Sequence, residues 1–151
     1  MILLDTNTLL LLLIGLINPD EIKNQARLYV FEASDFYRLL EEISDFSKIV
    51  ILPNIWTEID NLLKRNRLRN SYIQLCKELT KKLKENYIQS EIGFGSHYVH
   101  PLGLTDVLIL EQFRIKKATL FSIDSYLCDV ARANNIQVVD LLKEKNDLFR
   151  K

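Results

Sequence analysis

Met1-Ile-Leu-Leu-Asp5-Thr-Asn-Thr8-Leu-Leu-Leu-Leu-Leu-Ile14 carries two structural signals in one short stretch. Ile2, Leu3 and Leu4 form a short apolar run ended by Asp5, which reads as a buried strand. From about Thr8 the sequence reads as a helix. The stretch superficially resembles a secretory leader, but it lacks a basic first region and Asp5 interrupts it. Its clean apolar run, residues 9–17, is far shorter than the ~20 residues a membrane-spanning helix needs. A soluble cytoplasmic protein that does not partner a membrane is expected.

The strand signal recurs along the chain. Residues 48–52 (Lys-Ile-Val-Ile-Leu), 118–123 and 136–139 are short, apolar and rich in β-branched side chains. Helical segments lie between them. Asn18-Pro-Asp is a break, with Asp20 a candidate helix cap. Ser34-Asp35 opens a helix in which Phe36, Leu39, Leu40 and Ile43 recur at helical spacing. Pro53 starts another, with Ile55, Trp56, Ile59, Leu62 and Leu63 as its apolar stripe. A longer helix is expected over residues 70–86 and a loop over 90–103, which holds three of the four glycines and both histidines. Thr105 can cap a helix running to about Lys116. Helices over 125–134 and 141–148 complete the chain. Strands alternating with amphipathic helices imply an α/β fold in which a mainly parallel sheet carries helices on both faces. Such sheets bind ligands beyond the carboxyl ends of their strands. Two expected strands end directly in an aspartate, Asp5 and Asp124.

The 151 residues suit one domain spanning 1–151. Few glycines and prolines, 4 and 3, exclude a collagen-like or disordered chain. Basic and acidic residues balance at 20 each, which excludes a generally basic nucleic-acid-coating protein but not a local basic patch. Residues 62–84 form such a patch, with eight basic residues against Glu78 alone, whereas residues 1–61 carry four basic residues against ten acidic ones. Arg65, Arg67 and Arg69 are the candidates to hold a phosphate backbone, since they follow closely on the helix that carries Glu58. Cys76 and Cys128 lack metal-type spacing and read as reduced, buried thiols. His97 and His100 have no Cys or acidic residue suitably spaced to complete a zinc site, and surface placement is expected.

Four carboxylates are expected to converge: Asp5 after the first strand, Glu58 in the helix after the second, Asp106 at the start of a later helix, and Asp124 after the third strand. Clustered carboxylates repel and lose hydration, and a divalent cation with hard oxygen ligands, Mg²⁺ or Mn²⁺, compensates. Taken singly, Asp106 also suits a helix dipole and Asp124 a helix cap. Helical periodicity does not choose between Glu58 and Asp60, which border the apolar stripe on opposite sides.

The segments Leu-Leu-Asp5-Thr6-Asn7, Leu-Pro-Asn-Ile-Trp-Thr57-Glu58, Leu-Gly-Leu-Thr105-Asp106 and Phe-Ser122-Ile-Asp124 resemble the four motifs of the PIN-domain nucleases, in the family's order and across essentially the whole chain. The resemblance implies a three-layer α/β/α sandwich with four to five strands and metal-dependent hydrolysis of RNA. Products would carry 5′-phosphate and 3′-hydroxyl ends. It further implies membership of a toxin–antitoxin pair, with an antitoxin protein as partner, and a homodimer. It selects Glu58 over Asp60, so that Asp5, Glu58, Asp106 and Asp124 would be both the catalytic residues and the ligands of one or two ions, a pair standing about 4 Å apart. Asn7 and Ser122 would orient those carboxylates. Segment 18–47 is longer than in the smallest members and would shape the substrate mouth or a partner surface.

Two other classes remain. A haloacid-dehalogenase-type phosphatase would use Asp5 as nucleophile and a second Asp two positions on, where this chain has Asn7. A PIN-like module without catalysis would bind RNA or assemble with partners, and it would show no Mn²⁺-dependent stabilisation. A Ser-His-Asp hydrolase is disfavoured by the lack of a Gly-x-Ser-x-Gly elbow.

Overall fold

The structure is a computed structural model that describes residues 1–115 and 117–150. The chain runs β1 (Ile2–Leu4), α1 (Thr6–Ile17), a 3₁₀ segment (Pro19–Asn24), α2 (Ala33–Ile43), β2 (Ile49–Ile51), α3 (Pro53–Leu63), α4 (Arg69–Leu79) and β3 (Lys84–Glu85). It continues through α5 (Ser90–Phe94), α6 (Val99–Leu102), α7 (Leu104–Ile115), β4 (Thr119–Ser122), α8 (Ser125–Ala133), β5 (Gln137–Asp140) and α9 (Leu141–Phe149). The five strands are all parallel, in the order β3-β2-β1-β4-β5, and helices flank the sheet as an α/β/α sandwich. The central strand β1 pairs Ile2 with Ile49 on one side and with Thr119 on the other.

α1 lies at the centre of the packing. Every residue from Leu9 to Ile14 is buried, as expected of a helix apolar on all sides. It packs on α2, α3 and α4. With 12 residues it does not approach membrane-spanning length, and among the described residues no helix is long and apolar enough to cross a bilayer. α2 is tied to the last helix by a buried ion pair, Lys145 Nζ to Asp35 Oδ2 at 2.6 Å.

Several expectations are corrected. The helix expected over 70–86 stops at Leu79, where the Thr80 hydroxyl bonds back to the Cys76 carbonyl at 2.7 Å. The chain then turns to add a fifth strand, β3, at the sheet edge, with Lys84 and Glu85 both exposed; an edge charge of this kind discourages further pairing. The expected loop over 90–103 contains the short helices α5 and α6. Gly103 ends it at φ 88°, a left-handed conformation that glycine adopts without strain. Thr105, expected to cap α7, lies inside it, since the helix begins at Leu104; the expected end at Lys116 lies outside the described residues. Asn18 rather than Asp20 caps the 3₁₀ segment, accepting from the Asp20 N–H. α2 begins at Ala33, one residue before Ser34.

Gly15 marks the closest approach of α1 to α2. A Cβ there would stand 2.1 Å from Cδ2 of Phe36. In an open helix, replacing Gly by Ala gains up to about 1 kcal/mol. Here the Phe36 ring reverses that sign, and overpacking costs ~1–3 kcal/mol. Gly15→Ala is therefore expected to lower the thermal midpoint by several degrees, at roughly 2–4 °C per kcal/mol. Adding Phe36→Leu is expected to recover part of the loss. A midpoint in Gly15→Ala equal to or above wild type would refute this packing.

Candidate active site

The strand order creates a crevice. From β1 the chain steps outward to β2 and β3, then returns to the other side of β1 for β4 and β5. Connections leaving the carboxyl ends of β1 and β4 therefore diverge, and in open α/β sheets ligands bind at such a switch point. Asp5 follows β1 directly, and Asp124 stands two residues beyond β4.

Asp5 is buried, 3% exposed. Its Oδ1 caps α1 by accepting from the Thr8 N–H at 2.6 Å, and its Oδ2 accepts from the Ser122 hydroxyl. The Ser122 Oγ in turn accepts from the Asp124 N–H at 2.9 Å. Asp124 caps α8 through Oδ1, which accepts from the Tyr126 and Leu127 N–H groups at 2.9 and 3.0 Å. A hydrogen-bond chain thus joins the ends of β1 and β4. The Ser122 hydroxyl is thus bonded directly to one of the four acids expected to converge.

Glu58 stands in α3, where its carboxylate joins two distant segments. Oε2 accepts from the Thr6 hydroxyl at 2.7 Å and Oε1 from the Thr105 hydroxyl at 2.5 Å. Asp60 turns elsewhere and pairs with Arg69 at 2.6 Å. Geometry thus separates the two acids that periodicity left equivalent. Thr6 and Thr105 are site residues that sequence reasoning missed. Each neighbours an acid in the chain, and Thr105 serves Glu58 rather than a helix cap. Asn7 also departs from expectation: its carboxamide oxygen faces Arg27 Nη1 at 3.5 Å rather than orienting a carboxylate.

Asp106 lies in the first turn of α7. Among the described residues, no hydrogen bond or ion pair reaches its carboxylate. Its pKa is pushed up to about 7, first by burial and then by the charges of Asp5, Asp124 and Glu58. Asp5 is also raised, chiefly by burial, against the opposing hydrogen bonds from Ser122 and Thr8. Asp5, Asp124 and Glu58 thus all act electrostatically on Asp106, and Asp124 acts on Asp5. The four do not form a ready cage: among the described residues, no group of three or more His, Cys, Asp or Glu side chains is placed to hold a metal ion directly. The donors are nevertheless all oxygen, the set that hard divalent cations take.

A cleft of about 490 Å³ opens beside Glu58, Thr105 and Asp106, with Arg27 and Asn61 on its walls. A cavity of about 360 Å³ lies at the amino ends of β4 and β5, between Tyr98, Phe113 and Ile136, and contains none of the four acids. The expected RNA-binding arginines divide. Arg67 is paired to Glu21 and Arg69 to Asp60, whereas Arg65 is exposed and makes no ion pair among the described residues. His97 and His100 are both exposed, and the His97 ring packs on Tyr98 at 3.9 Å. Both cysteines are free, Cys128 buried and Cys76 half-buried. No family model, curated protein or solved structure matches the chain.

The charge arrangement fixes a pH dependence. Asp106, pushed up to about 7 in the fold, returns to the ordinary carboxylate range when unfolded, so the unfolded chain releases this proton first. Its ionisation then opposes folding increasingly as pH rises from about 4 to 7, and fully above that. In chelator, Asp106→Asn is expected to melt above wild type at pH 8, with the gap closing toward pH 5. Thermal melts across that range check it, and a gap that widens on acidification would reverse the assignment.

Proposed function

We propose that the chain is a metal-dependent endoribonuclease whose reaction centre is the switch-point cleft. The observation that carries this reading is Asp106: among the described residues no hydrogen bond or ion pair reaches its carboxylate, and its affinity for a proton is raised first by burial and then by the charges of Asp5, Asp124 and Glu58 at the ends of β1 and β4 and in α3. A stability-driven arrangement would give such a group an Arg or Lys. The motif resemblance to PIN-domain nucleases supports the same reading independently.

Asp5, Glu58, Asp106 and Asp124 would hold one or two Mg²⁺ or Mn²⁺ ions. Such ions, when bound, supply Lewis acidity and a water acidic enough to attack near neutral pH. The chain's own contribution is orientation. Ser122 and the Thr8 N–H fix Asp5, while Thr6 and Thr105 fix Glu58. The helix cap fixes one oxygen of Asp124. Each acceptor oxygen keeps further lone-pair capacity after these bonds. The phosphatase reading fares less well, because the second aspartate it needs two positions after Asp5 is Asn7 in this chain.

Incubation of single-stranded RNA with Mn²⁺ tests the proposal. Asp5→Asn, Glu58→Gln, Asp106→Asn and Asp124→Asn are each expected to lose cleavage on the order of a hundredfold or more. Thr105→Val keeps the side-chain shape, and its loss of the hydroxyl is expected to cost about 10–100-fold. Asp60→Asn breaks a partly exposed pair worth about 0–1 kcal/mol and is expected to stay near wild type. Product ends are expected to be 5′-phosphate and 3′-hydroxyl. RNA binding without cleavage, and without a Mn²⁺-dependent rise in the thermal midpoint, would replace the nuclease with a binding module.

A further inference from the structure

Segment 18–47 returns to the acid cleft through one side chain, Arg27. Backbone position 27 lies between two anchors. Gln25 is buried and accepts from Asn66 Nδ2 at 2.8 Å, and Leu28 is fully buried, its N–H donating to the Gln25 carbonyl at 2.9 Å. The Arg67–Glu21 ion pair fastens the same segment to the corner between α3 and α4. Arg27 itself is exposed. It is the one cationic side chain among the described residues that line the cleft with Glu58, Thr105 and Asp106. Its recorded polar contact, 3.5 Å to Asn7 Oδ1, is at the outer limit of a hydrogen bond and leaves most guanidinium donors uncommitted. Among the described residues, no carboxylate lies within ion-pair distance of it.

We propose that Arg27 is a phosphate clamp that grips the RNA backbone at the rim of the acid cleft, so that segment 18–47, rather than the arginine run at 65–69, presents the substrate to the acids. This rests on the ribonuclease reading above. An RNA phosphate approaching four carboxylates is repelled, and a cation at the cleft wall offsets the repulsion where it acts. Arginine suits this task because its planar fork can grip two phosphate oxygens at once. The competing arginines are less able to do it. Arg67 and Arg69 are engaged with Glu21 and Asp60, and neither lines the cleft. Arg67 is instead a positioning residue, holding the segment from which Arg27 reaches.

The test measures binding of a fluorescein-labelled single-stranded RNA to the full chain in chelator over a range of salt, with cleavage in Mn²⁺ measured in parallel. Arg27→Ala is expected to weaken binding about tenfold and to reduce the log–log salt slope by about one. The thermal midpoint and its rise with Mn²⁺ are expected to match wild type, since an exposed side chain is lost and no carboxylate is touched. Lys81→Ala removes one positive charge from the exposed Lys81–Glu78 pair just after α4, which does not line the cleft, and is expected to bind like wild type. An unchanged slope in Arg27→Ala, an equal loss in Lys81→Ala, or no RNA binding by wild type would overturn the clamp. Arg27-dependent binding in a wild-type protein that neither cleaves RNA nor gains stability from Mn²⁺ would retain the clamp and sink the nuclease. Cleavage that is indifferent to Arg27 would do the opposite.

Discussion

A carboxylate with almost no solvent must be hydrogen-bonded, ion-paired or protonated, and Asp5 meets this constraint at the middle of the molecule. It ends the central strand, caps the central helix and accepts from Ser122 at the end of the neighbouring strand. β1 has partners on both sides, so Asp5 has little freedom to move without moving the sheet. The same bonds that satisfy Asp5 aim it. Asp124 repeats the arrangement one strand away, capping α8 while its N–H continues the chain through Ser122. The site is thus made from the strand-to-helix turns themselves, and a helix cap is worth about 1 kcal/mol wherever it occurs. Stability alone therefore explains Asp5 and Asp124. It does not explain Asp106, which has no such bond.

What the sequence disclosed follows from the range of the forces involved. β1, β2 and β4 were legible because a strand buried on both faces must be apolar whatever its partners, and β5, a partly exposed edge strand, by its paired valines Val138 and Val139. β3 was not, because its two exposed residues carry no pattern, and its strand character comes from pairing with Val50 and Ile51 more than thirty residues upstream. Asp5 and Asp124 were legible as direct neighbours of strands. Glu58 was not separable from Asp60 by periodicity, because the deciding contacts come from Thr6 and Thr105, 52 and 47 positions away. The basic run at 62–84 was counted correctly as charge, yet its value depends on pairing. Glu21, 46 positions from Arg67, engages it, and no local reading reports that.

Partners, more than burial, distinguish the acids of this protein. Asp35 has Lys145, Asp140 has Arg132, Asp60 has Arg69 and Glu21 has Arg67. At the carboxyl edge of the sheet, Asp5, Glu58 and Asp124 are served by hydroxyls and backbone amides, which orient a carboxylate without cancelling its charge. Asp140 makes the contrast sharpest. Like Asp5 it ends a strand, is buried and caps a helix, but Arg132 neutralises it, and it stands at the sheet's margin on β5 rather than at the switch point. Two carboxylates in the same local setting thus differ in whether the chain supplies the counter-charge. A group of four carboxylates with no counter-charge among the described residues is a cost to the fold that packing and pairing elsewhere must offset. Arg27 at the cleft wall contacts Asn7 and, among the described residues, none of the acids; a salt bridge to Glu58 or Asp106 would neutralise both the acid and the cation. Under the proposed reading, the separated carboxylates are the groups that would take a divalent ion, and the guanidinium is the group that would take a phosphate.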